Sequence, residues 1–193
     1  LLGFYFLGDN DQEYVFTDET VGRAWASVKG AYPDKDVSLV SSTPDYSKFI
    51  VRTEGEGDTG TYQLVDLTAG RAVRIGSEYP AIPAEAIGEV RFINYAAADG
   101  TNIPAYLTLP PGRDVADLPL IVMPHGGPQA RDEPGFDYWS QLLASRGYAV
   151  LRPQFRGSVG FGKAHYEAGF GEWGRKMQTD LSDGVRYLAA EGI

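Results

Sequence analysis

His125-Gly126-Gly127-Pro128 is the run whose residue types, in that order, suit a chemical step. Two adjacent glycines let backbone N–H groups approach a developing negative charge with no side chain in the way, which is what an oxyanion hole requires. The same four residues also make an ordinary tight turn after a strand. On the motif alone both readings stand.

The other reactive residue types are few. Ser158 lies in Gly157-Ser158-Val159-Gly160, which lacks the G-x-S-x-G spacing of a nucleophile elbow, and it reads as a turn serine. In an α/β-hydrolase the triad runs Ser, then Asp or Glu, then His, and His125 precedes every strand that could carry the nucleophile. Its expected role is to orient the Gly126-Gly127 loop through a hydrogen bond. His165 reads as a surface residue on a short helix, and two isolated histidines make no metal site. Gly157, Gly162 and Lys163 have the spacing of a phosphate-binding loop, but Ala164 stands where Ser or Thr would hold Mg²⁺. Glu54, Glu56 and Asp58 alternate with glycine like a Ca²⁺ loop without its later bidentate Glu, so they read as solvated charges. No metal or cofactor is expected. Asp180 and Asp183 are expected in the first turn of a helix, with Arg156 pairing one of them structurally.

These residues need a frame. Leu120 to Pro124 is a short apolar run, read as a strand buried on both faces, and it delivers the glycine pair to its carboxyl end, where ligands sit in open α/β sheets. Before it, Val90 to Ala97 and Ile103 to Leu109 read as strands joined by an Asp99-Gly100 turn. After it come a helix capped near Asp137 with Trp139, Leu142 and Leu143 on one face, a buried strand Tyr148 to Phe155, and a helix from Thr179 or Asp180 to Gly192. This alternation predicts a largely parallel sheet.

The first part of the chain has another rhythm. Leu1 to Leu7 and Tyr14 to Phe16 read as strands flanking a turn at Gly8-Asp9-Asn10-Asp11. Asp18 caps a helix whose Val21, Ala24, Trp25 and Val28 share a face, closed by Gly30 and Pro33. Val37 to Ser42, Phe49 to Thr53, Tyr62 to Leu67 and Ala72 to Ile75 then alternate with period two, with a Gly-rich loop from Glu54 to Gly60, and form an antiparallel meander the size of one β-propeller blade. Pro80, Pro83 and Gly88 mark a linker.

Composition narrows the partners. Of 193 residues, 43% are hydrophobic and 22% charged, enough for a packed core. A net charge of -9 without clustered Lys and Arg argues against a nucleic-acid partner. No stretch reads as a signal peptide or bilayer span, so no membrane partner is expected. With no cysteine there is no disulfide to indicate a compartment, which stays open between cytoplasm and periplasm. The chain opens on Leu1 inside an apolar run and stops at Ile193 just past a helix, and it reads as a segment of a longer protein.

The order YLTLPPG, LPLIVMPHGGPQAR, FRGSVGFG, WGRKMQTDLSDGVRYL resembles the prolyl oligopeptidase family of serine peptidases, in its acylaminoacyl-peptidase and dipeptidyl-peptidase branches, over Val90 to Ile193. The resemblance implies an α/β fold: the N-terminal half of an α/β-hydrolase sheet over residues 89–193, preceded over 1–88 by about one and a half blades of an antiparallel β-propeller, incomplete at both ends. It implies that the His125, Gly126, Gly127, Pro128 loop helps hold a tetrahedral intermediate, with Arg156, Gly157 and Ser158 in an adjacent structural loop. It implies short peptide substrates and an acyl-enzyme whose Ser, Asp and His lie beyond Ile193, none of the triad being present. In the hydrolase strand order 1-2-4-3-5 the Leu120 strand is central. Without strand 5 it is an apolar edge expected to pair with the rest of the enzyme or with a second chain, so an oligomer is possible. An esterase or amidase of the same fold and a non-catalytic interaction module are the alternatives.

Overall fold

The computed structural model describes residues 3–8 and 12–193. It divides into two compact units, Leu1–Ile87 and Gly88–Ile193.

In the first unit β1 (Gly3–Leu7) and β2 (Gln12–Phe16) form an antiparallel hairpin. The tip expected at Asp9 to Asp11, like Leu1 and Leu2, lies outside the described residues. Asp18 caps α1 (Glu19–Gly30), its carboxylate accepting from the Thr20 and Val21 amides. The helix turns Val21, Trp25 and Val28 inward and continues through Gly30 to a cap at Ala31. β3 (Asp36–Ser42), β4 (Lys48–Gly55), β5 (Asp58–Asp66) and β6 (Arg71–Ser77) follow as an antiparallel meander in chain order. Trp25, Val28, Val37, Phe49, Val51 and Val65 make its core. The expected Gly-rich loop is shorter than its composition suggests, because β4 runs to Gly55 and β5 starts at Asp58. Two of its charges are engaged: Arg52 Nη1 reaches Glu54 at 2.6 Å, and Lys35 Nζ reaches Asp58 at 2.5 Å.

The second unit is built on β7 (Val90–Ala96), β8 (Asn102–Thr108), β9 (Leu120–Val122) and β10 (Ala149–Pro153), with α2 (Tyr138–Ala144), α3 (Lys163–Glu167) and α4 (Lys176–Ala190). The spatial order is β7-β8-β10-β9, the 1-2-4-3 arrangement that the family resemblance implies. The expectation of a largely parallel sheet fails: β7–β8 and β8–β10 are antiparallel and β10–β9 is parallel. A two-stranded start joined by a tight hairpin cannot be parallel, and the Asp99-Gly100 turn makes that hairpin.

β9 also departs from expectation. Among the described residues it pairs with β10 alone, and Leu120, Ile121 and Val122 are half-buried, not enclosed on both faces. β8 and β10 carry the core instead, with Ile103, Ala105, Leu107, Ala149 and Leu151 fully buried. α4 starts three residues before Thr179, so Asp180 and Asp183 fall beyond its first turn and are buried. In α2 the face is reversed: Ser140, Gln141 and Ala144 are buried, while Trp139 is 63% exposed. Polar bonds decide this, since Asp137 accepts from the Ser140 amide and hydroxyl, and the Gln141 amide group bonds both N–H and C=O of Gly88.

Candidate active site

β9 ends at Val122 and the chain enters the 125–128 loop at the carboxyl end of the sheet. The loop borders a cleft of about 340 Å³ whose other walls include Phe155, Trp173, Met177 and Leu181. Gly127 has φ +128°, and a Cβ there would meet the Gln129 amide at 2.9 Å and Ala130 Cβ at 3.0 Å. Only glycine fits this position. Gly126 has open space around it. Among the described residues neither the Gly126 nor the Gly127 amide has a hydrogen-bond partner.

His125 sits against this loop. Its ring stacks on Phe155 with centroids 4.6 Å apart, Nδ1 lies 2.9 Å from the Gly126 carbonyl, and Nε2 lies 2.8 Å from Ser158 Oγ. The His125 ring thus contacts the loop itself. The Gly126 carbonyl and the Gly127 N–H belong to one planar trans peptide and point in opposite directions. The His125 ring lies on the carbonyl side of that peptide.

The segment after the loop is clamped to the one after β10. Val159 donates to the Ala130 carbonyl at 3.0 Å, and the buried Gln154 side chain accepts from the Asp132 amide at 3.1 Å and donates to its carbonyl at 3.3 Å. Arg131 lies over the Phe161 ring at 4.4 Å and donates to the Tyr106 hydroxyl at 3.0 Å. Burial pushes the Asp132 carboxyl up, opposed by Arg152, whose Nη1 is 3.8 Å away.

Arg156 pairs with Asp180 as expected, at 2.7 Å, and also with Asp99 at 2.9 Å. Asp99 marked a turn in the sequence; that it would reach a guanidinium 57 positions away had no local signal. Arg156, with Thr101 and Lys176 beside it, holds the Asp99 carboxyl far below the usual range. Ser158 is fully buried, and its amide and hydroxyl both reach the Phe155 carbonyl, at 3.0 and 2.7 Å. His165 corrects the surface reading: it is half-buried, Nε2 lies 2.9 Å from the Gln154 carbonyl, and its own carbonyl accepts from the Gly157 amide. Lys163, the phosphate-loop decoy, is an exposed partner of Glu167. Gln154, Tyr106, Arg131 and Asp132 were missed, because a clamp between segments leaves no periodic trace.

Residues 134–193 match the family profile described as the prolyl oligopeptidase family, a narrower span than the resemblance read from Val90 onward. Dipeptidyl aminopeptidase BIII of Pseudoxanthomonas mexicana is 37% identical over 165 residues, covering 82% of this chain and 24% of that protein. Dipeptidyl peptidase family member 6 of Caenorhabditis elegans is 34% identical over 182 residues, covering 83% and 25%. Among solved structures, a puromycin hydrolase superposes with a TM-score of 0.65 at 27% identity, over 81% of this chain and 24% of that one. A puromycin-hydrolyzing peptidase of Mycobacterium tuberculosis superposes at 0.70 over 98% and 31%, where 20% identity makes the likeness one of fold. The chain thus spans about a quarter of the length of the curated relatives it matches. With the 1-2-4-3 sheet, the glycine pair at its carboxyl end and these likenesses together, the chain belongs to the prolyl oligopeptidase family.

Proposed function

We propose that this chain supplies part of the oxyanion hole of a serine peptidase that hydrolyses short peptides through an acyl-enzyme. The observation that carries the reading is the Gly127 amide, unpartnered among the described residues, in a loop that borders a cleft and whose preceding carbonyl is held by His125. In the acylation step a serine Oγ bonds to the scissile carbonyl carbon and gives its proton to a base. The carbonyl π pair moves onto oxygen, and the Gly127 N–H donates to that oxyanion. Collapse expels the amine, which takes the proton from the base, and water then repeats the sequence on the acyl-enzyme. We assign the serine, its base and the acid to polypeptide outside these 193 residues.

In this reading residues 89–193 are the first half of the hydrolase domain, and the open side of β9 receives the strand that bears the serine or a strand of a second chain. Residues 1–88 are the end of a propeller that limits substrates to short peptides; the four-stranded meander β3–β6 has the size of one blade. A fluorophosphonate probe tests the reading, because it labels only an activated serine. The full polypeptide should be labelled and should turn over dipeptidyl or short peptide amides, while the 193-residue chain produced alone should not label. An unlabelled full polypeptide would make the chain an interaction module, and turnover of esters without peptides would make it an esterase.

A further inference from the structure

Resting on that assignment of the loop, we infer that Gln154 is a positioning residue: its side-chain amide fixes the segment on which the Gly127 N–H is seated. The last bond between β9 and β10 runs from the Met123 N–H to the Leu151 carbonyl at 2.8 Å. From Pro124 to Gln129 no backbone hydrogen bond to another segment follows among the described residues. The glycine pair thus crosses the end of the sheet without backbone support until the chain is caught again at residues 130–132. There the Val159 N–H reaches the Ala130 carbonyl at 3.0 Å. Two residues on, Gln154 Oε1 accepts from the Asp132 N–H at 3.1 Å, and Nε2 donates to the Asp132 carbonyl at 3.3 Å. A primary amide carries a donor and an acceptor on one planar group, so it offers both backbone groups of Asp132 what a neighbouring strand would. The Asp132 carbonyl also accepts from Arg131 Nε at 3.2 Å, but among the described residues the Asp132 N–H has Gln154 alone.

The strut has firm footing. Gln154 is 0% exposed, its own N–H bonds the Pro104 carbonyl at 2.8 Å, and its carbonyl lies 2.9 Å from His165 Nε2. In the interior no bulk water replaces a lost partner, so the amide and Asp132 hold each other in one arrangement. What the clamp fixes is the floor under Gly127, because the Gln129 amide and Ala130 lie 2.9–3.1 Å from where a Gly127 Cβ would stand. Releasing it frees the Ala130 end of the loop, and the Gly127 N–H moves with that end. Gln154 thus acts on the oxyanion site through the backbone, without touching substrate.

The test uses the full polypeptide, with kcat expressed per serine titrated by fluorophosphonate so that loss of folded enzyme does not count. Gln154→Met removes both bonds and keeps a side chain of similar length. It should lower kcat about tenfold, less than the loss of an oxyanion donor itself, with KM within about twofold. It should weaken a peptidyl trifluoromethyl ketone, which forms a tetrahedral oxyanion, by the same factor as kcat/KM. In a Gly127→Ala background, Gln154→Met should change kcat by less than about twofold, because two residues acting on one amide are not additive. Gln154→Glu keeps the acceptor for the Asp132 N–H but sets an oxygen against its carbonyl; it should lower kcat per titrated serine in the same way, and it decides alone if the Met variant does not fold. Unchanged kcat per titrated serine, or additive losses, would overturn the inference. Wild-type enzyme that takes up no fluorophosphonate would instead overturn the functional reading beneath it.

Discussion

Gly126 and Gly127 are adjacent and chemically identical, yet the fold treats them differently. An added Cβ at Gly127 meets the Gln129 amide and Ala130 at 2.9–3.1 Å in a left-handed backbone region, whereas at Gly126 it meets nothing within 4 Å. Gly127→Ala should therefore shift the loop and lower kcat by about 10²–10³, the cost of one misplaced oxyanion donor. Gly126→Ala should leave the melting temperature of the enzyme unaltered. Steady-state kinetics beside thermal melts of the two variants checks the contrast, and equal effects would refute it. The sequence shows the glycine pair plainly but not which member is indispensable. That depends on Gln129 and Ala130 folding back beneath the loop, which the tetrapeptide does not encode.

At the scale of elements, helix length decides what could be read. α4 is 15 residues long, and Leu188 and Met177 are buried as apolar residues should be, but the buried Gly184 also lies tight against the sheet. A Cβ there would lie 2.7 Å from Leu151 Cδ2 and 2.9 Å from the Tyr95 ring, both buried. Alanine would gain about 1 kcal/mol of helix propensity but would overpack the contact at a cost of about 1–3 kcal/mol. Gly184→Ala should thus lower stability in urea denaturation despite the better helix former. Gly30→Ala at the open end of α1 should raise it by about 0.5–1 kcal/mol. A stabilised Gly184 variant would mean that the helix stands off the sheet. In α2, seven residues give barely two turns, so period alone cannot choose a face, and the polar bonds of Ser140 and Gln141 outweigh the apolar Trp139, Leu142 and Leu143. The meander was legible for the opposite reason, since four strands repeat one alternation and each confirms its neighbour's register.

Over the whole second unit, one side chain ties together parts that the chain keeps far apart. Arg156 joins the β7–β8 turn through Asp99 to α4 through Asp180, beside the segment that carries Ser158. Because the Asp99 pKa is lowered by Arg156, Thr101 and Lys176, its contribution to stability is complete above the ordinary value of 3.8 and is lost as pH falls toward the lowered native value. The melting temperature of Asp99→Asn should accordingly trail the wild type most at neutral pH, with the gap closing in acid; a gap that widens in acid would contradict the sign. The strands were readable because each announces itself locally, while their spatial order came with the family resemblance. Of this ion network the Arg156–Asp180 pair was anticipated, but the Asp99 contact was not, because a Coulomb contact across 57 positions leaves no pattern in either neighbourhood. The pairing also has a consequence for synthesis. Until residue 180 has left the ribosome, the Arg156 guanidinium lacks the carboxylate that meets it in the interior, so the nascent chain can assemble its hairpin early and yet complete this ion network only when α4 arrives.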